Sequence, residues 1–443
     1  MALIYLWIFF ILLLVGLPMT YLMLTTPIIS IFIDSWLNGT DPRGLTRVVS
    51  RLFAGTESFP LMALPFFILA GELMSAGGIT TRIVKFAESL IGHYRGGLAH
   101  VTVSSSVMLA GGCGSPVADA SALGTILIPG MTESGYQRRF AAGIVAASSL
   151  IVGIIPPSGL FIMYAFIMNV SVADMFAGGI LPGLIIAAAL MIMVFFTRKR
   201  YPAALKKATG KERIQAFRYA FLPLLTPVIL IGGIVGGIIG VTEGAAAAAF
   251  YCLILGLFYT KEIKIKDLGT IFSKAALNSA VILVLVGAAV SFAAFLSQKG
   301  LPNVISGYVL GITDNPLLLF FLVNIMLLCV GLIMDAGPAI LILGPILAPV
   351  MIAAGVDPVH FAVVMCINLL IGLITPPMGL VLFVVSSISK EPVESISIAM
   401  MPFFLVELAI LFLLTYYPAI IMALPNAVNA GSISVFFQTF IAF

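Results

Sequence analysis

The chain has 443 residues, of which 61% are hydrophobic and only 9% charged, and it carries a formal net charge of +4. A soluble globular chain is about a quarter charged, so a soluble fold is excluded. The net charge says little by itself, a nucleic-acid reading of the basic residues is poor because a cytoplasmic loop explains them, and no polar stretch is long enough to fold alone.

Apolar stretches of membrane-spanning character recur from end to end. In chain order they are Leu3–Leu24, Leu181–Phe196, Phe221–Val241, Ala245–Tyr259, Ala275–Leu296, Leu317–Met334 and Met400–Leu424. The shorter ones need flanking residues or tilt to cross. The first lacks a basic leading region and a small-residue cleavage site, which predicts a retained helix. Arg198, Lys199, Arg200, Lys206, Lys207, Lys211, Arg213 and Arg218 crowd one polar stretch, and Lys261, Lys264, Lys266 and Lys274 another. Basic residues concentrate in cytoplasmic loops. Two spans between these stretches, turning at Thr242-Glu243, put both loops on that side. Cys113, Cys252, Cys329 and Cys366 are scattered through apolar sequence and read as small buried hydrophobes. They show no metal spacing, and neither do His93, His100 and His360.

A short phrase occurs twice. Pro156-Pro157-Ser158-Gly159-Leu160 returns as Pro376-Pro377-Met378-Gly379-Leu380. The spacing from Pro129 to Pro156 equals that from Pro349 to Pro376. Gly111 then falls against Gly331 and Ser148 against Asn368. Gly111–Pro116 stands opposite Asp335–Pro338 with a small gap, and Leu73–Gly77 resembles Leu296–Gly300. Matches in one order at a near-constant offset indicate an internal duplication. In each half a short apolar run ends in Pro129 or Pro349. With the apolar run before it, each forms a predicted re-entrant hairpin, its tip at Gly111–Pro116 or Asp335–Pro338.

Paired prolines followed by glycine break a helix. In a bilayer such a break persists only where it lines a cavity or site. The free carbonyl ends suit a hard cation such as Na⁺, and the free N–H ends suit an anionic substrate group. The candidate cation ligands are Gly331, Asn368, Gly372, Thr375 and Met378 in the second half. In the first half they are Gly111, Ser148, Gly153, Ile155 and Ser158, with Ser115 nearby. Substrate contacts are expected from Gly114, Ser115, Ser158, Asp335, Gly337, Pro338 and Asn368. The bland alternative is packing glycines and kinks. Asp335, an acid inside an apolar run, is read either as a cation or proton ligand or as a helix N-cap. Asp119 and Thr242-Glu243 are read as caps, and Arg138-Arg139 as an interfacial loop.

Taken together these pieces resemble the large membrane subunit of tripartite ATP-independent periplasmic (TRAP) transporters, the DctM-like family. The segments that carry the resemblance are Gly112–Gly124, Ile155–Tyr164, Thr242–Tyr251, Gly331–Pro349, Gly355–Phe361 and Asn368–Phe383. It covers roughly residues 1–425, and Ser115-Pro116 departs from it, since the family more often carries a small residue for the proline. The resemblance implies an all-α, polytopic, inverted-repeat elevator transporter with two re-entrant hairpins and two broken helices. It implies a Na⁺-coupled importer in a bacterial inner membrane, with two or more Na⁺ sites and no organic cofactor. It also implies a small four-helix membrane partner, a periplasmic substrate-binding protein and an organic acid anion as substrate, a sialic acid or a C4-dicarboxylate.

The expected organisation is scaffold helices at 1–75 and a first repeat at 76–197. A basic loop and scaffold pair follow at 198–260, then a second repeat at 261–390. A last helix spans 391–425, and 426–443 form a tail whose Gly431-Ser432 start suggests an appended segment. Rival readings are a stand-alone Na⁺- or H⁺-coupled symporter and an anion channel. An enzyme is not expected, because the chain shows no nucleophile with its base and no His-Glu-x-x-His pair. A primary pump is disfavoured by the lack of a Gly-x-x-x-x-Gly-Lys-[Ser/Thr] loop.

Overall fold

The structure, a computed structural model, describes residues 2–39, 44–57, 59–197, 206–301, 304, 307, 311, 315–376 and 379–430. Among them the regular elements are helices. Three open the chain: α1 (Ala2–Leu14), α2 (Met19–Asn38) and α3 (Gly44–Thr56). The first repeat holds α4 (Ala63–Ala76), α5 (Ile79–Ile91), α6 (Gly97–Cys113), α7 (Pro116–Glu133), α8 (Arg138–Ile154), α9 (Gly159–Met168) and α10 (Val172–Thr197). Two helices connect the halves, α11 (Gly210–Val235) and α12 (Val241–Ile254), the latter running on through a π-helical turn, Leu255–Tyr259. The second repeat holds α13 (Ile265–Gln298), α14 (Pro316–Gly331), α15 (Ala336–Ala353), α16 (Pro358–Gly372), α17 (Leu380–Ser389) and α18 (Val393–Tyr416). A short α19 (Pro418–Asn429) closes the described chain. Seven of these helices are long and apolar enough to cross a bilayer, and two bent pairs, broken by 66° and 41°, bring the number to nine.

Several expected boundaries move. The stretch Leu3–Leu24 is two helices, because Gly16 sits in the left-handed region at φ 87° and Pro18 precedes α2. A glycine there takes a conformation closed to most residues, and proline brings no donor. Met400–Leu424 is likewise divided, since Tyr417 leaves the helical region (φ −121°, ψ 76°) before Pro418. Pro129 and Pro349 do not end their helices but lie inside α7 and α15. A single proline removes one backbone bond, which a buried helix absorbs, whereas a double proline with glycine does not. The polar stretch after Thr197 is shorter than expected. Thr209 and Glu212 form a capping box, with Thr209 N donating to Glu212 Oε2 at 2.7 Å, so Lys211, Arg213 and Arg218 are helical. Arg198, Lys199 and Arg200 lie outside the described residues. Lys274 belongs to α13, not to a loop. Arg138 and Arg139 open α8. The turn expected at Thr242-Glu243 is at Gly236–Gly240, and Gly240 is the N-cap of α12.

The duplication is visible helix by helix. The expected gap between the hairpin tips is not needed. Ser115 and Asp335, at one constant offset, are the N-caps of α7 and α15, each 18 residues long. α9 and α17 are each 10 residues long, and both are closed by a left-handed residue, Asn169 (φ 53°) and Lys390 (φ 59°). The expected match of Gly77 with Gly300 shifts by one residue: α4 and α13 end on equivalent turns in which Gly77 (φ −78°) corresponds to Lys299 (φ −83°) and Gly78 (φ 65°) to Gly300 (φ 66°). These two turns lie at opposite ends of α13. A Cβ on Gly78 would sit 3.0 Å from Glu262 Cγ, just before α13 starts, whereas Gly300 follows its last residue. The 34 residues between span about 50 Å. The repeats therefore run in opposite directions through the molecule.

They also interlock. α7 of the first repeat packs on α17 of the second, and α15 of the second packs on α9 of the first. In the same way α8 packs on α18 and α16 on α10. This exchange buries α8 from Ala141 to Ile154 and α16 from His360 to Gly372 without interruption. Both are hydrophobic on nearly every side, as a helix surrounded by others must be.

Candidate functional site

The two long buried helices both stop near the middle of the bundle. α8 makes its last helical bond from Ile155 N to Ile151 O at 2.8 Å. Pro156 and Pro157 follow, joined by a cis peptide bond, and neither can donate a hydrogen bond. Ser158 is extended (φ −115°, ψ 124°), and its buried Oγ has no hydrogen-bond partner. α9 then leaves at 41° to α8.

The turn of the α6–α7 hairpin meets this break. Gly114 has φ +56°, and a Cβ on it would overlap the carbonyl oxygen of Pro157 and lie 3.5 Å from Ser158 Cα. Only glycine supplies both the conformation and the clearance. Ser115 caps α7, its Oγ accepting from Ala118 N at 3.4 Å. Beside it, a Cβ on Gly153 would meet Pro116 Cγ at 2.8 Å and Leu370 Cδ2 at 2.9 Å. The first hairpin, the first break and the end of α16 thus converge.

The second break lies between α16 and α17. Leu373 is still helical in conformation, Gly379 N donates to Thr375 O at 3.1 Å and Val381 N donates to Leu373 O at 3.1 Å. Thr375 Oγ1 donates to Ile371 O at 2.7 Å. Gly331, the last residue of α14, faces Gly372, where a Cβ would sit 2.6 Å from Gly331 Cα. Pro377 and Met378, the latter an expected ligand, lie outside the described residues.

Two residues of the expected set carry the matching feature in the two halves. Asn368 Nδ2 donates to Asn324 O at 3.0 Å and Asn324 Oδ1 at 2.9 Å, while its own buried Oδ1 has no partner. Asn324 Nδ2 passes the chain to Thr415 Oγ1 at 2.8 Å. Ser148, the counterpart of Asn368, is buried with its Oγ unpartnered. Buried polar groups normally find partners. Unsatisfied oxygens at Ser148, Ser158 and Asn368, near two helix breaks, form the kind of donor set that a hard cation satisfies.

Other expected residues sit differently. Gly111 is a close-packing position, since a Cβ there would run into Pro227 of α11. Ile155 carries its side chain under Gly183. Asp335 is the N-cap of α15, its Oδ1 accepting from Ala336 N at 2.8 Å, so the capping alternative is realised. Gly337 and Pro338 are not at the tip. They belong to the first turn of α15, where Gly337 lies against Met163 of α9.

Asp119 is not a cap, because Ser115 fills that place. It is buried, and its Oδ2 accepts from Ser106 Oγ of α6 at 2.9 Å, tying the hairpin's arms together. Asp119 also lines a cavity of about 590 Å³ between the hairpin and α4 and α13. Ser115, Ser121 and Thr125 share that wall. Opposite, Glu72 pairs with Lys274 at 2.8 Å and accepts from Asn278 Nδ2 at 3.4 Å. Sequence reasoning missed Asn324, Thr415, Glu72 and Asn278. Glu72 had a signal, a lone acid in an apolar run. Asn324 and Thr415 had none, since a polar side chain in a membrane helix shows its partner only in three dimensions.

Residues 6–420 match the family described as Tripartite ATP-independent periplasmic transporter, DctM component. The chain is 37% identical over 388 residues to the sialic acid TRAP transporter large permease protein SiaM of Vibrio cholerae, covering 87% of this chain and 91% of that one. It is 34% identical over 398 residues to the C4-dicarboxylate TRAP transporter large permease protein DctM of Rhodobacter capsulatus, covering 86% and 90%. Its fold is similar to the crystal structure of the Alcanivorax borkumensis YdaH transporter, with a TM-score of 0.62 at 14% identity over 86% of this chain and 90% of that one. Such permease subunits are not enzymes, which agrees with the lack of a nucleophile and base in the sequence. The chain therefore belongs to the DctM family, as a multi-pass inner-membrane large permease component of tripartite ATP-independent periplasmic transporters.

Proposed function

We propose that this subunit is a Na⁺-coupled importer of an organic acid anion. Each helix break, with the hairpin turn beside it, forms a cation site, and the anion is carried between them. The observation that carries the reading is the paired set of buried, unpartnered oxygens at Ser148, Ser158 and Asn368 beside two interrupted helices. Ligands made of hydroxyl, amide and backbone oxygen suit a hard monovalent cation. The residues proposed to hold it are Ser148, Gly153, Ile155 and Ser158 in one half and Gly331, Asn368, Gly372 and Thr375 in the other. With the cation bound, the free N–H ends of α9 and α17 favour a carboxylate.

The hairpins α6–α7 and α14–α15 are read as re-entrant, their turns reaching the breaks from opposite faces. The moving unit of an elevator is then the interlocked set α6–α9 and α14–α17, sliding against α4, α11, α12 and α13. The cavity beside Asp119 lies on that boundary, lined by α7 on one wall and by α4 and α13 on the other. As a TRAP large permease, the chain works with a small membrane subunit and a periplasmic binding protein. The similarity to SiaM and DctM proteins supports a sialic acid or a C4-dicarboxylate as cargo.

The test is uptake into proteoliposomes holding both membrane subunits, supplied with the cognate binding protein and labelled N-acetylneuraminate or succinate. An inward Na⁺ gradient is expected to drive accumulation above the external concentration. Equal uptake with a K⁺ gradient would contradict Na⁺ coupling. Mere equilibration would indicate a channel.

A further inference from the structure

Glu407 belongs to neither break. It is the fifteenth residue of α18, near the centre of that helix, fully buried, and both carboxyl oxygens lack a hydrogen-bond partner. Its place in the packing can be read from its neighbours on the same stripe of α18. One and two turns before it, the Phe403 ring packs at a tilt 5.9 Å from that of Phe140, and Met400 lies against Gly143, both on α8. Two turns after it, Leu414 O accepts from His360 Nε2 of α16 at 2.9 Å. Residues seven apart share a helix face. Glu407 therefore sits where α18 passes from the first broken helix to the second. Glu407 is thus bracketed by the contact of α18 with the start of α8 and its contact with the start of α16.

Among the described residues no charged partner is hydrogen-bonded or ion-paired to it. The helices packed on α18 are α8, α10, α16, α17 and α19. Their charged groups lie at the helix starts, Arg138 and Arg139 on α8 and Asp174 on α10. α16 adds His360, whose Nε2 is committed to Leu414 O, and the buried thiol of Cys366. α17 and α19 carry no titratable side chain. On α18 itself, Glu394 and Tyr416 lie at the two ends. An ionised carboxylate with no cation and no donor cannot be held in such surroundings, so the group holds a proton. The fold does not require it, because the matching position on α10 is Ile186, which is also buried. An acid that serves no structural contact and lies at the centre of a membrane bundle is a functional group by default.

We propose that Glu407 is a proton-exchange site. Its carboxyl is protonated in the arrangement described here. It releases the proton in an arrangement of the bundle that admits water to this point of α18, making H⁺ a second ion bound in the transport cycle. This goes beyond Na⁺ coupling and does not depend on it.

The test is an infrared titration of the purified, reconstituted chain between about pH 5 and about pH 9, a range centred on neutral working conditions. A protonated carboxyl without hydrogen bonds gives a carbonyl stretch at the high-frequency end of its range. The expected result is one such band that fades reversibly as pH rises and is missing in Glu407→Gln. If Glu407→Gln does not assemble, Glu407→Asp assigns the band by shifting it. A band of constant intensity across the range, or no band that depends on residue 407, would overturn the proposal. Because the readout contains no Na⁺ step, its failure leaves the Na⁺ reading untouched, and the reverse also holds.

Discussion

At the scale of single residues, the glycine pair Gly331–Gly372 sets the tightest constraint. A methyl group on Gly372 would lie 2.8 Å from both the carbonyl carbon and oxygen of Gly331, and backbone cannot swing aside as a side chain can. Gly372→Ala is expected to destabilise the protein by about 1–3 kcal/mol, seen as a lower unfolding temperature in detergent. Gly130→Ala in α7 meets nothing within 4 Å and is expected to be neutral or slightly stabilising. A Gly372→Ala variant as stable as wild type would refute the close contact. It follows that Gly372 is a poor probe of ion binding, although the sequence alone recommends it. Thr375→Ala is the cleaner one, since it leaves the backbone in place and removes one oxygen. Its Na⁺ half-saturation is expected to rise about tenfold, about 1.4 kcal/mol, and Thr375→Ser should restore it. Residue identity and spacing were enough to single out Gly331, Asn368 and Gly372. That two of them touch, and that Asn368 leads to Asn324 and Thr415, is a fact of distance that no spacing contains.

At the scale of elements, the first hairpin is held by a bond between its arms. Asp119→Ala would leave the Ser106 hydroxyl buried and unpaired, which costs about 1–3 kcal/mol, whereas Asp119→Asn keeps an acceptor and should lose less. Thermal unfolding of the two variants checks the order, and an equal loss would mean that the bond to Ser106 is not what matters. The elements that could be read from sequence were those fixed by strong local chemistry. Two adjacent prolines and a glycine break a helix whatever surrounds them, and both breaks are found where that phrase stands. Single prolines misled, because tertiary packing tolerates one missing backbone bond, as at Pro129 and Pro349. Hydropathy joined α1 to α2 and α18 to α19, since an apolar average does not register the left-handed Gly16 or the non-helical Tyr417.

At the scale of the whole molecule, the exchange of helices between repeats makes a specific demand. If the hairpins and broken helices of both halves move as one body, links inside that body are harmless. Gly124 faces Ile388, with a Cβ position 3.1 Å from Cδ1, and Gly344 faces Tyr164 at 3.7 Å. In a background lacking native cysteines, Gly124→Cys/Ile388→Cys and Gly344→Cys/Tyr164→Cys should each be joined by a short bis-maleimide with transport retained. Loss of transport on linking either pair, against an unlinked control, would show the halves moving separately. The opposed direction of the repeats needed the structure, because it rests on two equivalent turns lying at opposite ends of α13. The duplication itself was already plain from one offset shared by Pro129, Pro156 and Ser148. Cation binding at the breaks underlies every step of the proposed transport cycle. The most direct measurement is the unfolding temperature of the purified chain in NaCl against choline chloride at equal ionic strength. Na⁺ at about a hundred times its dissociation constant should stabilise wild type by about 2.7 kcal/mol per site. Ser148→Ala, which removes a hydroxyl with no protein partner, should match wild type in choline and lose part of the Na⁺ shift. Identical unfolding temperatures for wild type in the two salts would contradict the account.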